Sequence, residues 1–304
     1  MENFNLVTEY IKDLYGTRDF IPLHVPKFRG KEKEYLVQCI DTTFVSSVGK
    51  FVDRFEDQMT QITKTKKAVA VVNGTAALQV GLRLVGVKEN DEVITQALTF
   101  VATANAIAYN NAHPIFLDVD IDTMGLSPLA VNDFLDEFGE LREDGCYNKT
   151  TGRKIAACMP MHTFGFPVHL DELIKVCKSW QIPIVEDAAE SLGSKYKGKP
   201  TGSFGEVGAF SFNGNKIVTS GGGGAITTNN TEIGERAKFL TTTAKQPHPF
   251  EYIHNELGYN FRMPNLNAAL ACAQLEQLEL YLNNKRSLAL RYKKFFSDKG
   301  IKFR

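Results

Sequence analysis

Residues 68–85 read AVAVVNGTAALQVGLRLV. The apolar run Ala68–Val72 leads into the turn Asn73-Gly74-Thr75, after which apolar residues recur at three- and four-residue steps, as on one face of a helix. An uninterrupted apolar strand suits a sheet covered on both sides, which is where parallel strands are found. The same alternation continues along the chain. Further strand-like runs are Glu92–Thr95, Pro114–Leu117, Ile155–Pro160, Pro183–Glu186, Val207–Phe212 and Ala225–Thr228. Between them, Ala76–Val85, Val101–Tyr109, Leu170–Trp180 and Ile233–Leu240 carry helical spacing. Strand and helix in turn predict an α/β fold, with a mostly parallel seven-stranded sheet and helices on both faces.

The rest of the chain sets the limits of this reading. The 304 residues are 43% hydrophobic and 23% charged, enough to bury a large core. Lys+Arg 35 balances Asp+Glu 35, so no whole-molecule field draws the chain to nucleic acid or a membrane surface, and any anionic ligand must be held locally. The five cysteines are scattered without paired spacing, and no histidine stands near one in a zinc pattern; reduced thiols and no metal site are expected. The Met1–Phe4 start lacks the basic and apolar regions of a signal peptide, and no apolar run approaches the roughly 20 residues that span a bilayer. A cytoplasmic protein is expected. Gly139–Arg153 is polar and turn-rich, a surface excursion. Lys245–Asn260, with two prolines, two histidines and three aromatics, has no periodicity, and a loop of that length inside a domain is usually functional or disordered. Leu266–Phe295 carries helical spacing, and a strand-like segment begins at Lys302-Phe303-Arg304. The expected layout is a helical segment over 1–43, a large domain over 44–243 and part of a small C-terminal α/β domain over 244–304.

Three stretches carry chemistry. Asn73-Gly74-Thr75-Ala76-Ala77 opens a helix directly after a strand, where unpaired N–H groups and the helix dipole can cradle a phosphate, although many such turns bind nothing. Ile184-Val185-Glu186-Asp187 brings acids to the carboxyl end of a buried strand, where α/β sheets bind ligands. Asp187 can face a ligand there or cap the next segment. In Ala209–Gly224 a strand delivers Ser211, then a polar turn, then Lys216, then four glycines in a row. Most lysines are solvated surface charges. This one lies between a buried strand and a glycine run, where its amine could serve as a nucleophile toward an aldehyde. The run is not a nucleotide P-loop, because the lysine precedes the glycines.

The order of phosphate cradle, acid, lysine and glycine run is similar to that of the fold-type I pyridoxal-phosphate enzymes. From about Phe20 to Leu280 the chain resembles the DegT/DnrJ/EryC1/StrS sugar aminotransferases. The resemblance rests on Phe44–Gly49 (FVSSVG), Asn73–Leu78 (NGTAAL), Thr99–Ile107 (TFVATANAI), Glu186–Ser191 (EDAAES), Ser211-Phe212 with Lys216, and Gly258–Met263 (GYNFRM). Phe20–His24 (FIPLH) and Phe44–Gly49 look most like the branch that makes 4-amino sugars for legionaminic-type acids.

The resemblance implies a pyridoxal 5′-phosphate cofactor held by Lys216 as a Schiff base. Gly74, Thr75 and Ser211 would bind its phosphate, Phe100 would stack on its ring, Asp187 would pair with its ring nitrogen, and Glu190 would lie near its ring hydroxyl. Many relatives carry Gln at the position of Glu190. Lys216 and Asp187 are the implied catalytic residues. Ser47, His162 and Arg262 are implied substrate contacts, and Asn260, with Arg262, would reach into a neighbouring subunit's cofactor site, making a homodimer with shared active sites. The implied reaction transfers an amino group from glutamate, leaving 2-oxoglutarate, to C4 of a UDP-linked 4-keto-6-deoxy sugar for surface-polysaccharide or nonulosonic acid synthesis. Sugar dehydratases of the same family use a histidine where Lys216 stands, which argues against that activity; an inactive cofactor-binding relative is the other alternative. Relatives usually continue well beyond Arg304, so the small domain is expected to be incomplete and activity in this form less secure than the site.

Overall fold

The computed structural model describes residues 2–301. Its main strands are β1 Lys67–Val71, β2 Glu92–Gln96, β3 His113–Leu117, β4 Ile155–Cys158, β5 Val185–Asp187, β6 Val207–Ser211 and β7 Gly224–Thr228. One ladder runs β1-β7-β6-β5 and another β3-β2-β4. The parallel bridges Cys158–Ile184 and Met161–Asp187 join β4 to β5, so the seven strands form one sheet. Only β7 runs against its neighbours. The expected mostly parallel α/β sheet is therefore present, with strand ends within two residues of those expected. The strand-like start at Lys302–Arg304 lies outside the described residues.

The helices, in chain order, are α1 Glu2–Tyr15, α2 Glu32–Asp41, α3 Lys50–Thr63, α4 Gly74–Leu84, α5 Val101–Ala108, α6 Pro128–Phe138, α7 Leu170–Ser179, α8 Thr231–Thr241, α9 Asn265–Leu275 and α10 Leu278–Asp298. The period of two along each strand decides which helices it meets. Ala68 and Ala70 of β1, with Phe210 of β6, share a core with Phe55 of α3 and Cys272 of α9. Val69 and Val71, with Val207 and Ala209, share the opposite core with Val80 of α4 and Ala237 of α8. This is why the strands read as continuous apolar runs: both faces are covered.

Two differences from the sequence reading stand out. Gly139–Arg153 is more than an excursion, because Gly139–Arg142 pairs with Gly145–Asn148 as a hairpin turning at Glu143-Asp144. Beyond the expected boundary at residue 243, α9 packs against α2 and α3 and shares a core with the sheet. Lys245–Asn260 has no helix or strand, as expected, apart from isolated bridges. Among the described residues no helix is long and apolar enough to cross a membrane. All five cysteines are buried and free.

Asn265 joins the N-terminal segment to this core. Its side chain accepts from the Phe51 N–H at 3.1 Å and donates to the Phe44 carbonyl at 2.7 Å, while its own N–H donates to the Ser46 carbonyl at 2.6 Å. The residue is 1% exposed. Asn265→Leu keeps the volume but leaves a buried donor and acceptor unpaired, so a loss of about 2–4 kcal/mol is expected in urea unfolding under reducing conditions. An unchanged midpoint would show that the amide bonds contribute nothing net.

Candidate active site

Strands β1, β5 and β6 run in the same direction and end at the same sheet edge. At the end of β1, the Asn73 side chain accepts from the Ala76 N–H at 2.8 Å and caps α4. The Gly74 and Thr75 N–H groups precede the first intrahelical bonds and head the helix. Two glycines allow this helix end to approach its neighbours. A Cβ on Gly74 would lie 2.8 Å from Ser211 Cβ, and one on Gly224 would lie 2.4 Å from the Asn73 carbonyl oxygen. The cavity beside them is lined by Gly74, Thr75, Phe100, Asp187, Glu190, Ser211 and Lys216, which are seven of the residues singled out in the sequence.

Asp187 lies at the end of β5 and is 2% exposed. Its carboxylate accepts from Thr103 Oγ1 at 2.7 Å and from the Ala189 N–H at 3.2 Å. Burial holds its pKa above the usual aspartate value, and those two hydrogen bonds offset only part of that rise. Lys216 follows β6 in a turn closed by its own N–H to the Asn213 carbonyl. Its Nζ donates to Glu190 Oε1 at 3.2 Å, and Glu190 Oε2 accepts from the Phe164 N–H at 3.0 Å. Phe100 is 67% exposed and lines the cavity, so it is not a core phenylalanine.

Four expected residues lie elsewhere. His162 does not line the cavity; it is fully buried, with Nε2 3.1 Å from Glu186 Oε2 and Nδ1 accepting from the Val168 N–H at 3.4 Å. That pattern assigns the tautomer protonated on Nε2. It corrects the expectation that His162 contacts substrate, because both ring nitrogens already have partners. Ser47 and Arg262 share a different hollow, lined also by Met263, and Asn260 is exposed in a bridge to Thr242. Within one chain none of these three lines the cofactor cavity. Sequence reading gave no role to Thr103, Asn213 or Asn215, all of which line the cavity. Thr103 could have been found, because it lies four residues after Thr99 within a quoted motif, and its hydroxyl bonds that of Thr99 at 2.6 Å.

The donor set fits pyridoxal phosphate. Helix N-terminal N–H groups and Ser211 suit a phosphate dianion, the buried Asp187 suits a protonated ring nitrogen, an exposed aromatic face suits the ring, and one amine suits the aldehyde. Fold and cavity together define a fold-type I pyridoxal-phosphate transferase. The DegT/DnrJ/EryC1/StrS aminotransferase family model matches residues 26–303, and the chain belongs to that family. EpsN of Bacillus subtilis (strain 168), assigned by name to the pyridoxal phosphate-dependent aminotransferases, is 39% identical over 93% of this chain and 70% of its own length. GDP-perosamine synthase of Escherichia coli O157:H7 is also 39% identical, over 90% of this chain and 71% of its own. An aminotransferase structure from Psychrobacter cryohalolentis superposes with a TM-score of 0.80 at 27% identity, covering 93% of this chain and 70% of that one. The chain is thus an aminotransferase with pyridoxal phosphate as its cofactor.

The raised pKa of Asp187 gives a test on the protein without cofactor. An acid whose folded pKa exceeds its unfolded value, 3.8 for aspartate, binds more protons folded than unfolded, so its contribution to stability falls as pH rises through that interval. Asp187→Asn removes the ionisation, and Thr103 can turn its hydroxyl to Thr99. The cofactor-free variant should therefore melt above the wild type at pH about 8, and the gap should close towards pH about 4. A variant that is less stable throughout would show that ionised Asp187 supports the empty fold.

Proposed function

We propose that the chain transfers an amino group from glutamate to C4 of a nucleotide-linked 4-keto-6-deoxy sugar. The observation that carries this reading is a single cavity holding the Lys216 amine, the buried Asp187 carboxylate and the N-terminus of α4. Pyridoxal phosphate, when bound, supplies the electron sink and the carbonyl through which the amino group passes. In the proposed reaction, the helix N–H groups and Ser211 hold the phosphate, and Asp187 keeps the ring nitrogen protonated. Lys216 Nζ is the base that removes the proton from Cα of glutamate in the first half and returns one to C4 of the sugar in the second. Glu190, held by the Phe164 N–H, restrains the swing of Lys216 between these positions. The resemblance in Phe20–His24 and Phe44–Gly49 supports uridine as the base and a legionaminic-type product. GDP-perosamine synthase among the relatives supports guanosine as a second reading. Assays with matched UDP- and GDP-linked 4-keto sugars distinguish the two. The reaction is assigned to the cytoplasm, in keeping with five free thiols.

The same proposal includes a homodimer. Asn260 and Arg262 lie outside their own chain's cavity, and the Arg262 Nε is buried without a hydrogen-bond partner among the described residues. Exposed apolar side chains stand near that cavity, Phe100 at 67% and Phe164 at 72%, and in the loop before Asn260, Phe250 at 88% and Leu257 at 73%. Surfaces of that kind are buried against another molecule more often than left in water.

Lys216→Ala should abolish transamination and the visible band of the lysine-bound cofactor, and Lys216→Arg should do the same because a guanidinium does not form the imine. Amino transfer from glutamate surviving in either variant would sink the assignment.

Shared sites predict complementation. A carboxylate at position 260 would face the cofactor phosphate in the partner's cavity and repel it, where an amide can donate. Inactive Lys216→Ala and inactive Asn260→Asp proteins, allowed to exchange subunits, should recover part of the wild-type rate, because one of the two mixed sites carries neither defect. If light scattering shows exchange and the rate stays at zero, each site is built from one chain.

A further inference from the structure

The acid at the end of β5 is tied to a chain of hydroxyl groups. Asp187 Oδ1 accepts from the Ala189 N–H at 3.2 Å, and Oδ2 accepts from Thr103 Oγ1 at 2.7 Å. Thr103 Oγ1 lies 2.6 Å from the hydroxyl of Thr99, four residues earlier, and Thr99 Oγ1 lies 3.3 Å from the Met161 sulfur. Thr103 is fully buried, so water does not serve its hydroxyl, and Thr99 and Asp187 are its partners among the described residues. The Met161 sulfur is free to accept, because the nearby Thr163 hydroxyl, 3.8 Å away, donates to the Met124 carbonyl at 2.8 Å.

Each hydroxyl has one proton, and that limits how the chain can be arranged. A carboxylate only accepts, so beside ionised Asp187 the Thr103 hydroxyl donates to Oδ2 and is free to accept from Thr99. A neutral carboxyl has a proton to donate. The Ala189 N–H cannot accept it, whereas the Thr103 oxygen can, provided that the Thr103 proton turns to Thr99 and the Thr99 proton to the Met161 sulfur. Both arrangements use the same heavy atoms in the same places, and no bond breaks along the chain, because the hydroxyls only rotate. Burial raises the pKa of Asp187, so the neutral form has to be accommodated as well as the charged one.

We propose that Thr99 and Thr103 form a reversible hydroxyl relay that keeps Asp187 hydrogen-bonded in both protonation states, as positioning residues for the acid that meets the cofactor. The relay rests on hydroxyl geometry; its use in amino transfer rests on the reading of Asp187 given above. Other ionisable groups near Asp187 stay outside it. Lys216 and Glu190 pair with each other, and Glu186 and His162 do the same, so none of the four bonds the Asp187 carboxyl.

The relay makes two threonine variants move one titration in opposite directions. In the cofactor-free full chain, isotope-labelled aspartate lets the Asp187 carboxyl be followed against pH by NMR, and Asp187→Asn identifies its signal. Thr103→Val removes the donor to the charged form and should raise the midpoint by about one pH unit, a tenfold change in proton affinity. Thr99→Val acts on the other form, because it leaves the buried Thr103 proton without its acceptor when Asp187 is neutral. It also removes a polarising bond from the charged form, but such strengthening is roughly 10–30% of one bond, less than a stranded buried donor costs. The midpoint should therefore fall by about one pH unit. Thr99→Ser and Thr103→Ser keep the hydroxyls and should titrate as the wild type does. A purely structural role for either threonine would change the melting temperature and leave the midpoint in place. A midpoint that Thr99→Val leaves unchanged or raises overturns the relay, and so does one that Thr103→Val leaves unchanged or lowers. In the loaded enzyme, Thr103→Val should lower kcat about tenfold at unchanged glutamate KM, with Thr103→Ser restoring it. Wild-type turnover in Thr103→Val overturns the positioning role. Wild-type protein that transfers no amino group sinks the reaction proposed above instead, and the two midpoints still decide the relay.

Discussion

Two carboxylates stand next to each other at the end of β5, and the molecule treats them in opposite ways. Glu186 and Asp187 are both fully or nearly fully buried, and on a strand neighbouring side chains point to opposite faces. Glu186 receives N–H donors from Gly202, Phe204 and Gly205 at 2.8, 2.6 and 2.8 Å, together with the His162 ring. Burial alone would raise its pKa, but the His162 bond and these backbone donors outweigh that and leave it below the usual value. An unpaired buried charge would cost several kcal/mol, so the loop at 202–205 and the His162 turn are fixed by their need to serve it. Asp187 has only two donors and keeps a raised pKa. The fold satisfies one acid by itself and leaves the other for a ligand to complete. The two behave differently because one faces into the protein and the other into the cavity.

Much of the fold could be read in the sequence because strands covered on both faces announce themselves. Runs such as Ala68–Val72 have few other stable settings, and the helices between them start at recognisable turns. What escaped was local. The hairpin at 139–148 carries the Asp144-Gly145 pair that often marks such turns, but its strands are short, and β-pairing depends on a partner strand as much as on composition. Helix α6 begins with Ser127 as cap and Pro128 at its first position, a signal present in the sequence but given no weight there. The setting of α9, past the boundary expected at residue 243, escaped for a different reason. Helical spacing shows that α9 is a helix, but not that both its sides are buried against α2, α3 and the sheet.

The site was legible where function rests on backbone geometry near a strand end. Gly74 and Thr75 follow β1, Asp187 ends β5, and Ser211 ends β6 with Lys216 in the turn after it, so topology brings them to one edge. His162 also follows a strand, and there the same logic misled. Strand position tells which edge a residue reaches, and not whether it turns outward to a ligand or inward to an acid 24 residues later in the chain. Ser47 and Arg262 do meet, but in a hollow apart from the cofactor cavity, and no pattern within one chain shows which copy of a cavity a loop serves.

Gln274 links these pieces. It is 2% exposed on α9, and its amide donates to the Lys27 carbonyl and to Glu32, while its Oε1 lies 3.5 Å from the Thr219 N–H in the turn that carries Lys216. Thr219 in turn binds the Phe212 carbonyl at 3.1 Å and accepts from the Gly221 N–H at 2.9 Å. One buried side chain thus sets the segment between α1 and α2 on one side of Lys216 and the glycine run on the other. Because α9 is packed into the core of the sheet, both walls around the lysine are referred to the same rigid frame as Asp187 and the α4 N-terminus. A reactive amine on a surface turn would lose orientation to side-chain and loop motion, and placement within about 0.5 Å is what a proton transfer between fixed atoms demands. The lysine is mobile in its four carbons and anchored at its backbone, which suits a group that must first hold one partner and then act as base on another.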